Sequence, residues 1–321
     1  MSMRITNNMI IARNLMNQQN NLYNMNKLYE DISSTRSLHR PSDDPIRVTR
    51  ALRFTADVRL NEQYQDNISY AKSWLETTDG ALKEINSILH RARELAVQGA
   101  NGTLGTDDKK KVSEELKQLK SHLVTVANQT LTGRRIFSGF RTDKDLLNQD
   151  GTFNMADIQM GTLANQKIEL KIGDQQKFEM NITGDKVFRP VPVNPDQPYD
   201  AATNPYDYTK KPKLIRDIDR LIKNLNDGNS EEVSKSIGDM EASLKDILEV
   251  RGEVGAKVKT IEVIEDRMTD DSLNLKKLLS KTRDTDMAAA YTQFMSYEAI
   301  YRSSLAVAGR IIQPTLVDFL R

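Results

Sequence analysis

Residues 11–32, IARNLMNQQNNLYNMNKLYEDI, place apolar side chains in alternating steps of three and four residues. Gln18 is the only polar residue in the stripe, whose apolar members are Ile11, Leu15, Leu22, Met25, Tyr29 and Ile32. Heptad spacing puts all of them on one helix face, where they can pair with another helix. Because the other faces are rich in Asn, Gln and Lys, we predict an N-terminal helix that needs a partner.

A ladder with seven-residue spacing in the C-terminal half is the candidate partner. It runs through Ile247, Val254, Ile261, Met268, Leu275, Thr282, Ala289, Ser296 and Ser303, with companion positions that include Thr285, Thr292, Ala299 and Ala306. Past about residue 282 its members are small. Burial of apolar surface contributes only about 25 cal/mol per Å², so a hairpin built on small residues is marginal alone. Small residues do allow neighbouring chains to approach closely.

The last residues continue the apolar pattern. The tail keeps an apolar face that includes Leu316, Phe319 and Leu320. We predict that Gly309 and Pro314 bend or end the last helix.

Glycine and proline are concentrated in the middle of the chain. All 15 glycines lie at or after Gly80, and six of the nine prolines lie between Pro190 and Pro212. Both residue types interrupt helices, so the two ends are predicted to be helical and the middle turn-rich. Alternating runs at 167–173 and 177–184 predict β-hairpins.

The expected fold class is therefore mainly α. N- and C-terminal segments form a long helical hairpin or bundle, with a small β-rich inserted outer domain. The predicted domains are terminal helices at 1–40 and 283–321, a helical rod at 41–135 and 210–282, and the outer domain at 136–209. We expect the terminal helices to be flexible in the monomer.

The motif RPSDDP is predicted to be a helix boundary, formed by Arg40, Pro41, Ser42, Asp43, Asp44 and Pro45. Asp44 can accept hydrogen bonds from first-turn amides, and Pro45 at the first helical position loses no needed donor. A second helix is predicted from Pro45 to about Val97. A third is predicted to begin near Thr106 and to be terminated by Gly133.

Composition excludes several classes of function. The 46 basic and 45 acidic residues give a net charge of +1, which offers no surplus for binding nucleic acid. No apolar run approaches the roughly 20 residues of a membrane span, and the N-terminus lacks the features of a cleaved secretory signal. With no cysteine, the chain has no disulfide or thiolate nucleophile.

No residues form a recognisable catalytic motif. His39, His90 and His122 lie far apart, and no nucleophile elbow or phosphate-binding loop is present. Trp74 is predicted to pack in a helix-bundle core. We therefore predict no catalytic, metal or cofactor site and no enzymatic activity.

Several segments in combination resemble bacterial flagellins and their relatives. The resemblance covers about residues 3–143 and 212–321. It rests on MRITNNMIIARNLMNQQNNLYNMNKLYEDISS (3–34), RPSDDP (40–45), VTRALR (48–53), YQDNISYAKSWLETTDGAL (64–82), GRRIFSGFRTD (133–143) and QPTLVDFLR (313–321). RPSDDP, SWLETTDGAL and GRRIFSGFRTD are most similar to the family members that join the flagellar hook to the filament.

The resemblance implies a structural subunit without enzymatic activity. Such a protein is exported unfolded through the flagellar type III apparatus, guided by a chaperone that binds its C-terminal region. It assembles with copies of itself on the first hook-associated protein and receives flagellin on its far side. Its terminal helices form the inner layer of the extracellular flagellum.

Two alternatives remain open at this point. The first is flagellin itself, although flagellins usually have their own motif in place of RPSDDP and a different C-terminus. The second is an intracellular coiled-coil scaffold, which explains the heptads but not the small-residue ladder or the β-rich insert.

Overall fold

The computed structural model describes residues 7–101, 105–154, 163–192, 206–208 and 210–311. Helices dominate them: α1 (Asn7–Ser34), α2 (Pro45–Ala100), α3 (Thr106–Ala127), α4 (Gly184–Phe188), α5 (Lys213–Asn226), α6 (Ser230–Arg283) and α7 (Met287–Ile311). The mainly α fold class predicted from the sequence is confirmed.

The strands are short and form three antiparallel pairs within the described residues. They are β1 (Thr130–Leu131) with β2 (Arg134–Arg135), β3 (Glu169–Lys171) with β4 (Lys177–Glu179), and β5 (Val191–Pro192) with β6 (Tyr206–Asp207). The β3–β4 pair is the hairpin predicted from the alternating runs, with Leu170 opposite Phe178.

Contacts divide the chain into two compact units. The terminal unit comprises Met1–Leu60 and Asp271–Arg321, and the central unit comprises Asn61–Asp270. Helices α2 and α6 contribute residues to both. The three-part division proposed from the sequence remains a prediction.

The central unit contains an extensive hydrophobic core. Trp74 is fully buried on α2, as predicted. Large apolar residues recur at helical spacing on the packed helices, including Leu75, Leu82, Ile85 and Leu89 on α2, Leu116 and Leu123 on α3, Ile215, Ile218 and Leu221 on α5, and Ile247, Val254 and Ile261 on α6. Phe137 meets Phe188 edge to face, with ring centroids 6.0 Å apart.

The large residues of the C-terminal ladder therefore do not pair with the first helix. Ile247, Val254 and Ile261 are fully buried in the central core, and Met268 is nearly so. Helix α1 instead contacts α7. The prediction that remote ends of the chain meet is correct, but of the ladder only the members from Ala289 onward lie on the helix that contacts α1.

Two helix ends differ from the predictions. Helix α3 ends at Ala127 rather than Gly133, because the Asn128 side chain hydrogen-bonds both the amide and the carbonyl of Leu147. Gly133, with φ of +80°, lies in the turn between β1 and β2. Helix α7 continues through Gly309 to Ile311, while Pro314 lies outside the described residues.

The ladder is also interrupted between α6 and α7. Asp286 begins the new helix, because its Oδ1 accepts hydrogen bonds from the amides of Ala288 and Ala289 at 3.0 and 3.1 Å. A side-chain cap of this kind satisfies amides that have no intrahelical partner. Thr285 therefore lies in a helix break rather than on a helix face.

Candidate assembly surface

The terminal unit buries few apolar side chains. Its only cluster of buried hydrophobic residues, among those described, is Ala51, Val58 and Leu279, with Leu38, Phe54 and Leu275 packed around it. Ala290 is the one further buried hydrophobic residue in the described part of this unit. Apolar burial drives folding, so this unit gains much less from it than the central unit does.

Large apolar residues are instead exposed on α1 and α7, which contact each other and are called the terminal pair. On α1 they are Met9, Leu15, Met16, Tyr23 and Tyr29, and on α7 they are Met287, Tyr291, Met295, Ile300, Leu305 and Val307. A soluble monomer rarely exposes a large contiguous apolar patch, and such patches mark interaction sites.

Helix α1 pairs through a different heptad frame from the predicted one. Ile11, Met25 and Ile32 are half-buried as expected, as is Leu22, but Leu15 and Tyr29 are exposed. The half-buried positions at alternating three- and four-residue steps are Ile11, Asn14, Gln18, Asn21, Met25, Leu28 and Ile32. The seam is therefore amide-rich from Asn14 to Asn21 and apolar on either side.

Helix α7 likewise turns another face inward. Its buried or half-buried positions are Ala290, Phe294, Tyr297, Glu298, Tyr301, Ser304 and Ala308. The small residues singled out from the sequence, Ala289, Thr292, Ala299 and Ala306, are exposed. Their role between subunits remains a prediction, whereas Leu316, Phe319 and Leu320 lie outside the described residues.

A groove of about 540 Å³ runs between the two helices. Asn14, Asn17, Gln18 and Asn21 line it from α1, and Ser296, Ala299, Ile300, Ser303, Ser304 and Val307 line it from α7. Gln18 Nε2 is buried and has no hydrogen-bond partner. Amides at a seam favour one helix register over others at some cost in stability.

A short backbone ladder fixes the antiparallel pairing at the base of the terminal helices. Arg36 and Asp284 form an antiparallel bridge. The Ser37 amide donates to the Arg283 carbonyl at 2.8 Å, and the Thr285 amide donates to the Thr35 carbonyl at 3.1 Å. The connection that follows α1 and the one that precedes α7 are thus joined by backbone hydrogen bonds.

Arg47, in the first turn of α2, adds side-chain hydrogen bonds at the base of the terminal helices. Its Nη2 donates to the carbonyl of Thr282 at 2.8 Å and to Ser37 Oγ at 3.1 Å. Thr35 has φ of +61°, a left-handed conformation that is costly for a β-branched residue. The neighbouring contacts therefore hold this connection in one conformation.

The boundary motif forms the predicted cap. Asp44 Oδ1 accepts hydrogen bonds from the amides of Ile46 and Arg47 at 3.1 and 3.0 Å, and Pro45 is the first residue of α2. Asp43 Oδ2 accepts from the amides of Arg40 and His39. These backbone hydrogen bonds, that of Arg40 first, hold the pKa of Asp43 below its usual value. The remaining members, Pro41 and Ser42, are exposed.

The terminal pair carries few charges for an exposed surface. Helix α1 has only Arg13, Lys27, Glu30 and Asp31, and α7 has only Glu298, Arg302 and Arg310, in a chain that is 28% charged. Asp31 is buried and pairs with His39 Nε2 at 2.8 Å. Depletion of charge is typical of the core of a protein interface.

No alternative chemical site stands out among the described residues. They contain no group of three or more His, Cys, Asp or Glu side chains suited to holding a metal ion. None of the helices described has the length and apolar character needed to cross a bilayer. His122 pairs with Glu84 at 3.0 Å, on the central unit.

Comparisons with known proteins agree with this architecture. The chain is 23% identical over 314 residues to flagellar hook-associated protein 3 of Salmonella typhimurium, covering 94% of this chain and 95% of the relative. It is 27% identical to a flagellin of Halalkalibacterium halodurans, covering 95% and 96%. The fold matches the flagellar junction protein FlgL from Legionella pneumophila with a TM-score of 0.55 at 18% identity, covering 73% of this chain and 100% of that one.

The matched family model spans the first helices and the hairpin that follows them. Residues 5–142 match the bacterial flagellin N-terminal helical region. These residues include α1, the boundary motif, α2 and α3, and the relatives above cover nearly the whole chain. The chain therefore contains the bacterial flagellin N-terminal helical region at residues 5–142 and is similar along nearly its whole length to hook-associated protein 3 and to flagellin.

Proposed function

We propose that the chain is the structural subunit that joins the flagellar hook to the flagellin filament. The observation that carries this proposal is the terminal pair, which combines exposed apolar side chains, few charges and little core of its own. Such a surface becomes stable when neighbouring copies cover it, because intersubunit burial then offsets the entropy of ordering.

The expected partners are copies of this chain, the first hook-associated protein on one side and flagellin on the other. Export as an unfolded chain through the flagellar type III apparatus, with a chaperone on the C-terminal region, belongs to the same proposal. The absence of cysteine suits such export, since no disulfide has to form or be reduced. The protein is then extracellular and has no catalytic role.

We further propose the radial order of the three parts. Residues 1–40 and 283–321 form the inner layer and order on assembly. Residues 41–135 and 210–282 form the rod around them, and residues 136–209 form the outer domain. The support is that α1 and α7, where described, bury almost no large apolar residues, whereas the stretches 68–95 of α2 and 247–261 of α6 bury many of theirs in the core of the central unit.

Flagellin is the second candidate, because the flagellin relative is the more identical of the two sequence relatives compared above. A seeding experiment separates the candidates. Purified chain is added to isolated hooks that carry the first hook-associated protein, and separately to filament fragments. A junction subunit adds a short zone at hook ends and stops, and flagellin then grows from that zone.

Elongation of filament fragments into long filaments would instead identify a filament subunit. Binding to neither structure would contradict both functions and favour a coiled-coil scaffold. A purified unrelated helical protein of similar size serves as the negative control.

A further inference from the structure

Methionine is distributed unevenly over the two units. In the central unit Met180, Met240 and Met268 are 2%, 0% and 7% exposed. The methionines on the terminal pair are much more open, with exposures of 53% for Met9, 64% for Met16, 42% for Met287 and 49% for Met295. We call these four residues, Met9, Met16, Met287 and Met295, the terminal methionines. Met25, also on α1, is half-buried.

Exposed methionine side chains are open to oxidation by peroxide. With no cysteine in the chain, the thioether is the side chain that peroxides oxidise most readily. The sulfur lone pair attacks one oxygen of hydrogen peroxide and the O–O bond breaks. Sulfur keeps that oxygen as a sulfoxide, and the other oxygen leaves with both protons as water. Sulfur is oxidised by two electrons and the peroxide is reduced.

We propose that the terminal methionines are peroxide modification sites and that their oxidation blocks assembly of the free chain. A sulfoxide replaces a flexible apolar side chain by a polar one, which disrupts methionine-rich interfaces. Each of these residues lies on a helix of the proposed assembly surface. Once assembly buries the surface, the same thioethers are protected.

This inference rests on the proposed function, because the assembly surface is what gives the modification its consequence. It adds a chemical sensitivity of the unassembled state that the subunit role does not require. It also adds reversibility, because methionine sulfoxide reductases convert the sulfoxide back to the thioether.

The test begins with a peroxide pulse on the purified chain. Peptide mass spectrometry is expected to find sulfoxide at the terminal methionines about tenfold faster than at Met180, Met240 and Met268, because exposure controls the reaction. Equal rates at both groups would overturn the proposal.

Assembly is then measured by addition of the oxidised chain to hook ends. Oxidised wild-type chain is expected to lose about tenfold or more of its incorporation, and treatment with methionine sulfoxide reductases A and B is expected to restore it. A variant with leucine at all terminal methionines, a nearly volume-conserving change, should incorporate equally before and after peroxide. The matched control Met240→Leu should remain sensitive.

Two outcomes separate this inference from the proposed function. If untreated chain fails to add to hook ends, the proposed function fails. If untreated chain adds normally and oxidised chain adds equally well, or if the leucine variant loses incorporation as the wild type does, the methionine inference alone is wrong.

Discussion

Replacing Leu15 by alanine tests whether the exposed side of α1 is an assembly surface. Leu15 is 50% exposed, so about half of its side chain is available for burial against another subunit. Full burial of a leucine side chain contributes about 1.5–3 kcal/mol, and the missing half is therefore worth about 1 kcal/mol. A cavity in a close-packed interface adds to this loss. We expect Leu15→Ala to weaken assembly by about 1–2 kcal/mol per subunit.

That free energy corresponds to an increase of about 5–30-fold in the concentration needed for assembly, since 1.4 kcal/mol is a factor of ten. The assay is incorporation at hook ends over a range of protein concentrations. Leu248 on α6 provides a matched control, because it is the same residue type with 52% exposure in the central unit. An equal effect of Leu15→Ala and Leu248→Ala, or no effect of either, would refute the assignment of the surface.

Other predictions concern charge, capping and pH. Ala299→Lys should abolish incorporation without changing the thermal unfolding of the central unit, whereas Ala256→Lys, at another exposed alanine, should be tolerated. Normal incorporation of the Ala299→Lys variant would contradict the inner position of α7. Asp44→Ala should lower the free energy of unfolding by about 1 kcal/mol in thermal melts. Asp44→Asn should retain most of the wild-type stability, because asparagine also caps helices. Asp217 is buried beside Ser243, and desolvation first, then the nearby Asp239, raises the pKa of Asp217. Because the folded protein favours the protonated Asp217 carboxyl, this group contributes stability at pH values below its unfolded pKa of about 3.9. The contribution is lost as the pH rises through the folded pKa. Asp217→Asn should therefore be more stable than wild type at pH 7, by a margin that shrinks at pH 4; an equal loss of stability at both pH values would be inconsistent with this account.

The fold class and the helix boundary were accessible from the sequence because they depend on local rules. Glycine and proline mark helix interruptions, and an aspartate before Pro45 caps a helix wherever it occurs. The alternating run that became β3 and β4 is similarly local. These features need no knowledge of what packs against them.

The pairing face of α1 depends on a partner and could not be predicted in the same way. At 14–15, 21–22 and 28–29 two adjacent residues compete for one heptad position, and the apolar pattern favours the residues at 15, 22 and 29. The structure places Asn14, Asn21 and Leu28 there and leaves Leu15 and Tyr29 exposed. Heptad patterns identify an associating face but do not say whether the partner lies in the same chain.

The ladder prediction failed for a related physical reason. One seven-residue spacing crosses two elements, because Asp286 starts a new helix and changes the rotational frame. On α7 the inward positions include the aromatic residues Phe294, Tyr297 and Tyr301. The small residues singled out from the sequence, Ala289, Thr292, Ala299 and Ala306, are exposed. The aromatic heptad was a signal in the sequence that could have identified this face.

The most direct test of the central claim is amide hydrogen exchange of the same chain, free and assembled on hooks. We predict that amides of α1 and α7 exchange fast in the free chain and become strongly protected on assembly. Amides in the core stretch of α2 from Ile68 to Leu95 should be protected equally in both states. Strong protection of α1 and α7 already in the free chain, or no gain in their protection on assembly, would contradict the claim that this surface is completed by other subunits.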